Sequence, residues 1–149
     1  MAFETLVVDA SVAVKWYFQD EEHAEQAQQV FERFVTGDME LFAPDYIRYE
    51  VPAVLSVATR GRQPRFSPEE GRGAIEDFSR LGIPTYNSTR LLLDAYPLIH
   101  RYDIALYDAL YLALAERLSL PLITADRRCY LRMSSHPSAL WIASWQAAR

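Results

Sequence analysis

The stretch LVVDASVAVKWYF, residues 6–18, decides the fold. Its apolar start, residues 6–8, ends at Asp9, and short Val-rich runs of this kind are typical of strands buried on both faces of a parallel sheet. Open α/β sheets bind their ligands outside the carboxyl ends of the strands. The pattern therefore predicts a carboxylate at the rim of a sheet, with the Ser11 hydroxyl two residues later and a short helix after it.

The rest of the chain alternates short apolar runs with segments of helical periodicity, without an internal repeat. Further strands are predicted at 40–43, 83–86, 121–124 and 140–142. Helices are predicted at 21–35, 45–60, 68–81, 88–100 and 104–118, with a shorter one before the last strand. Strands separated by helices indicate an α/β fold, with a parallel sheet between helices on both faces. The length of 149 residues predicts one domain, residues 1–149.

The composition predicts a soluble, cytoplasmic protein. Half of the residues are hydrophobic and 23% are charged, as in ordinary globular domains. No apolar run approaches the ~20 residues that span a bilayer. The start, residues 1–4, has neither a basic region nor a cleavage site. The single cysteine, Cys129, cannot build a disulfide framework or a cysteine zinc site.

The net charge of −5 argues against nucleic-acid binding by bulk electrostatics. Of the 15 basic residues only Lys15 is a lysine. Arginine binds phosphate through a planar fork of donors, although the base composition of a genome produces the same bias. The arginines form two local clusters, Arg60, Arg62 and Arg65, and Arg127, Arg128 and Arg132.

Four acids are expected at one edge of the sheet. Asp126 ends its strand in the same manner as Asp9, and Thr124 supplies a hydroxyl two residues before it. Glu50 lies early in the helix after the second strand, and Asp108 lies in the first turns of an otherwise apolar helix. Carboxylates crowded without a basic residue between them repel one another, so either protons or a cation must be present. Hard divalent cations with oxygen ligands, Mg²⁺ or Mn²⁺, meet that need.

Each acid also has a structural alternative. Asp9 and Asp126 suit helix N-caps, Glu50 suits a solvated helix face, and Asp108 suits a bridge to Arg101. The convergence of all four acids on one edge favours the site over these separate roles.

Three stretches resemble the PIN-domain family, and within it the VapC toxins of VapBC toxin–antitoxin pairs. They are VVDASVAVKW (residues 7–16), the Tyr49-Glu50-Val51 step and YDALYLALAERLSLPLITADRR (residues 107–128). The likeness runs from about residue 5 to residue 145, and its first and last motifs are the specific ones. It implies a metal-dependent ribonuclease with a three-layer α/β/α fold and a mainly parallel central sheet. It also implies a homodimer and a cognate VapB-like antitoxin whose C-terminal segment covers the cleft.

The same resemblance assigns roles to individual residues. Asp9, Glu50, Asp108 and Asp126 take the acidic positions, with Ser11 and Thr124 as supporting hydroxyls. One or two Mg²⁺ or Mn²⁺ ions are expected on Asp9, Asp108 and Asp126, with Glu50 as a ligand or as the base on the attacking water. The candidates for RNA backbone contacts are Arg127, Arg128, Arg60, Arg62, Arg65 and Lys15. Solvated surface charge is the alternative for the arginines, and pairing with an acid is expected for Lys15.

Pro52 and Asp103 complicate this assignment. A proline inside a helix removes a backbone hydrogen bond, so the helix of Glu50 either begins near Tyr49 or is kinked. Asp103, five residues before Asp108, is a competing acid for which we predict a helix N-cap.

Tyr107 and Tyr111 are candidates for stacking on RNA bases or for lining a dimer seam. Most aromatics at helical spacing lie in the core or in an interface, and that is the alternative for both.

Other α/β classes fit less well. A phospho-acceptor receiver needs a lysine after its last strand, and a haloacid-dehalogenase-like phosphatase needs an acid where Ser11 stands. Two alternatives within the family remain open: an RNA-processing nuclease without an antitoxin, and a catalytically weak RNA-binding module.

Overall fold

The computed structural model describes residues 4–147, whose strands form one five-stranded sheet in the order β3-β2-β1-β4-β5. The strands are β1 (Glu4–Val8), β2 (Met39–Pro44), β3 (Thr85–Tyr86), β4 (Leu122–Thr124) and β5 (Ala139–Trp141). All four strand pairings are parallel. The expectation that the chain has no leader rests partly on residues 1–3. These residues lie outside the described part of the chain.

Helices flank this sheet, so the predicted three-layer α/β/α class is confirmed. The helices are α1 (Ala10–Ala13), α2 (Ala24–Thr36), α3 (Ile47–Val57), α4 (Pro68–Arg80), α5 (Leu92–Tyr102), α6 (Leu106–Leu118) and α7 (Arg127–Met133). Helix α6 packs against β1, β2 and β4, and α5 packs against α6. In the described part of the chain, no helix is both long and apolar enough to cross a membrane.

The sheet order changes direction at β1, which lies between β2 and β4. In sheets of this type the crevice at that point, outside the carboxyl ends of the strands, is where ligands bind. The register pairs Val8 with Ile123, and the Asp9 amide donates to the Ile123 carbonyl at 3.0 Å. Asp9 and Thr124 therefore lie side by side at the ends of the two central strands.

The proline in α3 does not end that helix. Helix α3 begins at Ile47, before Tyr49, and continues past Pro52 to Val57. Pro52 has no amide hydrogen to donate to the preceding turn. Glu50 lies in the first turn, on the N-terminal side of that missing bond.

The N-cap predicted for Asp103 is wrong. Asp103 is the C-cap residue of α5 in the left-handed conformation, at φ 52°, and Ala105 occupies the N-cap position of α6. Aspartate tolerates this conformation better than most residues do, which suits it to the short link between two helices. Its carboxylate instead forms an ion pair with Arg132.

Candidate active site

Asp9 is the centre of a hydrogen-bond network that joins the ends of β1 and β4. Its carboxylate is almost wholly buried, and one oxygen, Oδ2, accepts from Ser11 Oγ at 2.5 Å and from Thr124 Oγ1 at 2.9 Å. The same hydroxyls accept backbone amides, Ser11 from Ala125 at 2.9 Å and Thr124 from Asp126 at 3.2 Å. Both hydroxyls therefore fix the Asp9 carboxylate relative to the strand end that carries Asp126.

The helix-cap alternative is wrong for Asp9 and right for Asp126. Asp9 occupies the N-cap position of α1, but its side chain makes no capping bond. Asp126 Oδ1 accepts the Cys129 amide at 3.0 Å as the N-cap of α7. That capping bond holds the Asp126 side chain at the end of β4, beside the Asp9 network.

Glu50 is held by a tyrosine from the opposite side of the cluster. Tyr111 Oη donates to Glu50 Oε1 at 2.7 Å, and the Tyr111 side chain is fully buried. Burial, assisted by the charge of Asp9, raises the pKa of Glu50 to about 7. Glu50 is thus not a freely solvated helix acid.

The core alternative is confirmed for Tyr111, whose ring is inside the protein, so Tyr111 neither stacks on RNA bases nor lines a dimer seam. Tyr111 was missed as the partner of Glu50, since the two residues are far apart in sequence. Tyr107 is 51% exposed, and its ring stacks on Tyr46 with the centroids 4.2 Å apart.

Asp108 forms an ion pair with no lysine or arginine of residues 4–147. Burial, followed by the charges of Asp9 and Asp126, raises the pKa of Asp108 to about 6. The side chain of Cys129 interacts with the Asp108 carboxylate and opposes this rise in pKa. The guanidinium of Arg101, the predicted bridge, lies instead over the ring of Tyr102 at 5.4 Å.

The four acids lie within electrostatic reach of one another. Burial also raises the pKa of Asp9, with the charge of Asp126 adding to the effect. The charges of Asp9, Asp108 and Asp126 all raise the pKa of Glu50. Within residues 4–147, no lysine or arginine forms an ion pair with any of these four carboxylates. The cluster therefore carries unbalanced negative charge whenever its protons are lost.

This donor set fits a hydrated hard cation rather than a closed metal cage. Carboxylate oxygens are the ligands preferred by Mg²⁺ and Mn²⁺. In the described part of the chain, no three acid, imidazole or thiol groups converge closely enough to enclose an ion. Mg²⁺ commonly keeps several waters and binds only one or two carboxylates together with substrate phosphates. The arrangement of separate acids suits that mode of binding.

Two of the basic residues proposed for RNA contact are already paired with acids. Lys15 Nζ lies 3.2 Å from Glu21 Oε2, the pairing that we expected. The Arg65 guanidinium pairs with Asp20 at 2.5 Å and Glu21 at 2.9 Å, and it also lies over the ring of Phe18. The other two members of this cluster, Arg60 and Arg62, are exposed.

A cleft of about 370 Å³ adjoins the acids. Its lining includes Asp108, Asp126, Arg128 and Arg132. Arg127 is not part of the lining, and its guanidinium lies 5.8 Å from the ring centre of Trp141. The two adjacent arginines at the start of α7 thus contact different surroundings.

Comparison with known proteins adds a family match. Residues 6–134 match the model of the PIN domain family. Ribonuclease VapC3 of Pyrobaculum aerophilum is 35% identical over 127 residues, covering 83% of this chain and 90% of that relative. Ribonuclease VapC9 of Mycobacterium tuberculosis is 30% identical over 123 residues, covering 83% and 87% respectively.

A solved structure has a similar fold. It is titled a toxin–antitoxin complex from Klebsiella pneumoniae and matches with a TM-score of 0.58. The match covers 91% of this chain and 95% of that one at 15% identity. At that identity the likeness concerns the fold alone.

Proposed function

This chain belongs to the PIN domain family, and from that premise we propose that it is a cytoplasmic, Mg²⁺- or Mn²⁺-dependent endoribonuclease. We further propose that it is the toxin of a VapBC-type pair, inhibited by a cognate antitoxin. The names of its relatives, Ribonuclease VapC3 and Ribonuclease VapC9, support both statements.

One observation carries the proposal of metal-dependent chemistry. Four carboxylates, two from the ends of β1 and β4 and two from α3 and α6, gather at the switch point of the sheet. Burial, with the neighbouring negative charges, raises the pKa of Asp9, Glu50 and Asp108, and within residues 4–147 no basic side chain forms an ion pair with any of the four. Such a cluster is a poor site for an RNA phosphate by itself, because anions repel. A divalent cation removes that repulsion and brings positive charge to the place where the phosphodiester must lie.

The acids and the hydroxyls would then have separate roles. Asp9, Asp108 and Asp126 would hold the hydrated cation, one or two of them directly and the rest through its waters. The cation would supply Lewis-acid stabilisation of charge on the phosphate. Ser11 and Thr124 keep the Asp9 carboxylate in one orientation through the two hydroxyl bonds.

Glu50 would take a proton from the attacking water. Its pKa of about 7 lies near neutral pH, where a general base combines availability with proton affinity. The hydrogen bond from Tyr111 holds the Glu50 carboxylate in place for that transfer.

We also propose a homodimer. Helices α3 and α5 expose large apolar side chains, among them Tyr49 at 74%, Leu93 at 89% and Tyr96 at 62%. Exposed apolar area of this kind is typical of protein–protein contacts, either between two copies or with the antitoxin.

Cleavage of total RNA by the purified protein tests the nuclease proposal. We expect fragments in the presence of Mg²⁺ or Mn²⁺, none in EDTA, and recovery when the ion is added back in excess. Cleavage that continues undiminished in EDTA would contradict the metal dependence. No cleavage with either ion would favour an RNA-binding module instead.

Expression in a bacterial host tests the toxin proposal. We expect growth arrest when the chain is produced alone, and relief when the small reading frame beside its gene is produced with it. The Asp9→Asn variant serves as the matched control and should leave growth unaffected. Normal growth with an RNA-cleaving protein would assign the chain to RNA processing without an antitoxin.

A further inference from the structure

The cleft beside the acidic cluster carries both signs of charge. Asp103, Asp108 and Asp126 contribute its carboxylates, while Arg128 and Arg132 contribute guanidinium groups. Arg132 is paired with Asp103, so among the described residues the unpaired charges of the cleft are Asp108 and Asp126 on one side and Arg128 on the other. The two arginines are four residues apart on α7, and this spacing places them on one face of the helix. An anionic ligand in this cleft would contact the free guanidinium at one end. At the other end it would contact a cation held by the carboxylates.

The arginines of α7 differ in what they already contact. Arg132 Nη1 donates to the Asp103 carbonyl at 2.6 Å and also pairs with the Asp103 carboxylate. Arg127 lies over Trp141, outside the lining of the cleft. Within residues 4–147, the side chain of Arg128 makes no hydrogen bond or ion pair, so its five N–H donors are available to a ligand.

We propose that this cleft is a phosphate subsite for the RNA nucleotide adjacent to the scissile phosphodiester, and that Arg128 binds its phosphate. This inference rests on the proposed nuclease function, because it places the scissile group at the neighbouring acids. A guanidinium binds phosphate through two parallel N–H bonds. The cleft volume of about 370 Å³ lies within the range of sites that enclose one small ligand group.

The subsite also explains how an acidic protein can hold RNA. With a net charge of −5, the chain as a whole repels a polyanion, so binding depends on cations placed locally. Arg132 adds charge to the same cleft, but Asp103 already occupies part of its donor set. Arg128 therefore contributes most of the new hydrogen bonding.

The test compares Arg128→Ala with Arg127→Ala, which removes the same charge from the adjacent residue. Binding of a fluorescein-labelled single-stranded RNA is followed by anisotropy in EDTA over a series of salt concentrations. We expect Arg128→Ala to weaken binding by about tenfold or more, since hydrogen bonds to charged groups are the stronger class. Its slope of log K against log salt should fall in magnitude by about 0.7, the value for one phosphate contact on a single strand. Arg127→Ala should change both quantities less than Arg128→Ala does, because Arg127 lies over Trp141 outside the cleft. Arg80→Ala, at an exposed arginine in the last turn of α4, is the neutral control and should change neither.

One further variant and one further assay test the same subsite. Arg128→Lys keeps the charge without the fork, so it should keep the salt slope and recover only part of the affinity. In cleavage assays with Mg²⁺, Arg128→Ala should raise KM more than it lowers kcat. Equal losses in the Arg127 and Arg128 variants, or no loss in either, would overturn the subsite.

The outcomes also separate this inference from the proposed function. A wild type that fails to cleave RNA contradicts the nuclease, while the two arginine variants still report on where RNA binds. If Arg128→Ala loses affinity for poly-glutamate and not for RNA, the cleft is a site for an acidic peptide instead.

Discussion

Replacing Asp9 with asparagine is expected to lower the rate of RNA cleavage at least ~100-fold. Removing a residue that only supports a metal ligand costs up to about 100-fold, and removing a ligand itself should cost at least as much. The amide has one carbonyl oxygen, which can still accept the hydroxyls of Ser11 and Thr124 that now bond to Asp9 Oδ2. The variant therefore keeps the network and loses only the negative charge. The measurement is the initial rate of cleavage of a labelled RNA in saturating Mg²⁺.

The stability of the same variant separates a lost site from a lost fold. Burial raises the pKa of Asp9, so the charged form is disfavoured inside the metal-free protein, and a neutral amide should not lower its melting temperature. The matched control is Asp94→Asn, which removes one charge from an exposed acid on α5, 3.9 Å from Arg117. We expect the control to cleave RNA at the rate of the wild type. Cleavage retained by Asp9→Asn would contradict the assignment of the site.

Adding Mn²⁺ is expected to raise the melting temperature by about 5–10 °C, and to do so more at neutral than at acidic pH. An ion at ~100 times its Kd stabilises the folded state by about 2.7 kcal/mol. In a domain of this size each kcal/mol shifts Tm by about 2–4 °C. Differential scanning calorimetry with and without Mn²⁺, at about pH 5.5 and about pH 8, measures both effects.

The pH dependence follows from the raised pKa values. The pKa of Glu50 rises from 4.5 to about 7 and that of Asp108 from 3.8 to about 6 on folding. Between roughly pH 4 and pH 7 the folded state therefore binds more protons than the unfolded state. The free energy of unfolding of the metal-free protein consequently falls as the pH rises through this window. Mn²⁺ competes with those protons, so its stabilising effect grows in the same direction.

Asp126→Asn provides the variant for this second prediction, and Asp94→Asn again provides the control. The first should reduce the Mn²⁺-induced rise in Tm, whereas the second should leave it unchanged. An equal rise at both pH values, or an equal rise in Asp126→Asn, would show that Mn²⁺ binds elsewhere on the protein.

Local sequence signals were sufficient for the class of the fold. The Val-rich run before Asp9 and the apolar run before Asp126 both lie in central strands of the sheet. Both strands could be predicted because a strand buried on both faces needs an uninterrupted apolar run, whatever surrounds it.

The ends of the elements were harder to predict from the sequence. The segment predicted as one helix from residue 88 begins with a 3₁₀ turn, because the Asn87 side chain caps the amides of Thr89 and Arg90.

By itself, then, the sequence determined the parallel sheet, the carboxyl edge at which Asp9 and Asp126 meet, and the acidic chemistry of that edge. Only the tertiary structure decided that Tyr111 holds Glu50, that Cys129 lies at the same cleft as Asp108, and that Arg128 rather than Arg127 lines that cleft. The physical reason is that periodicity and strand ends are properties of neighbouring residues. A contact between distant elements depends on how each helix is rotated and packed, and a rotation of one residue, about 100° for an α-helix of 3.6 residues per turn, exchanges Arg128 for Arg127.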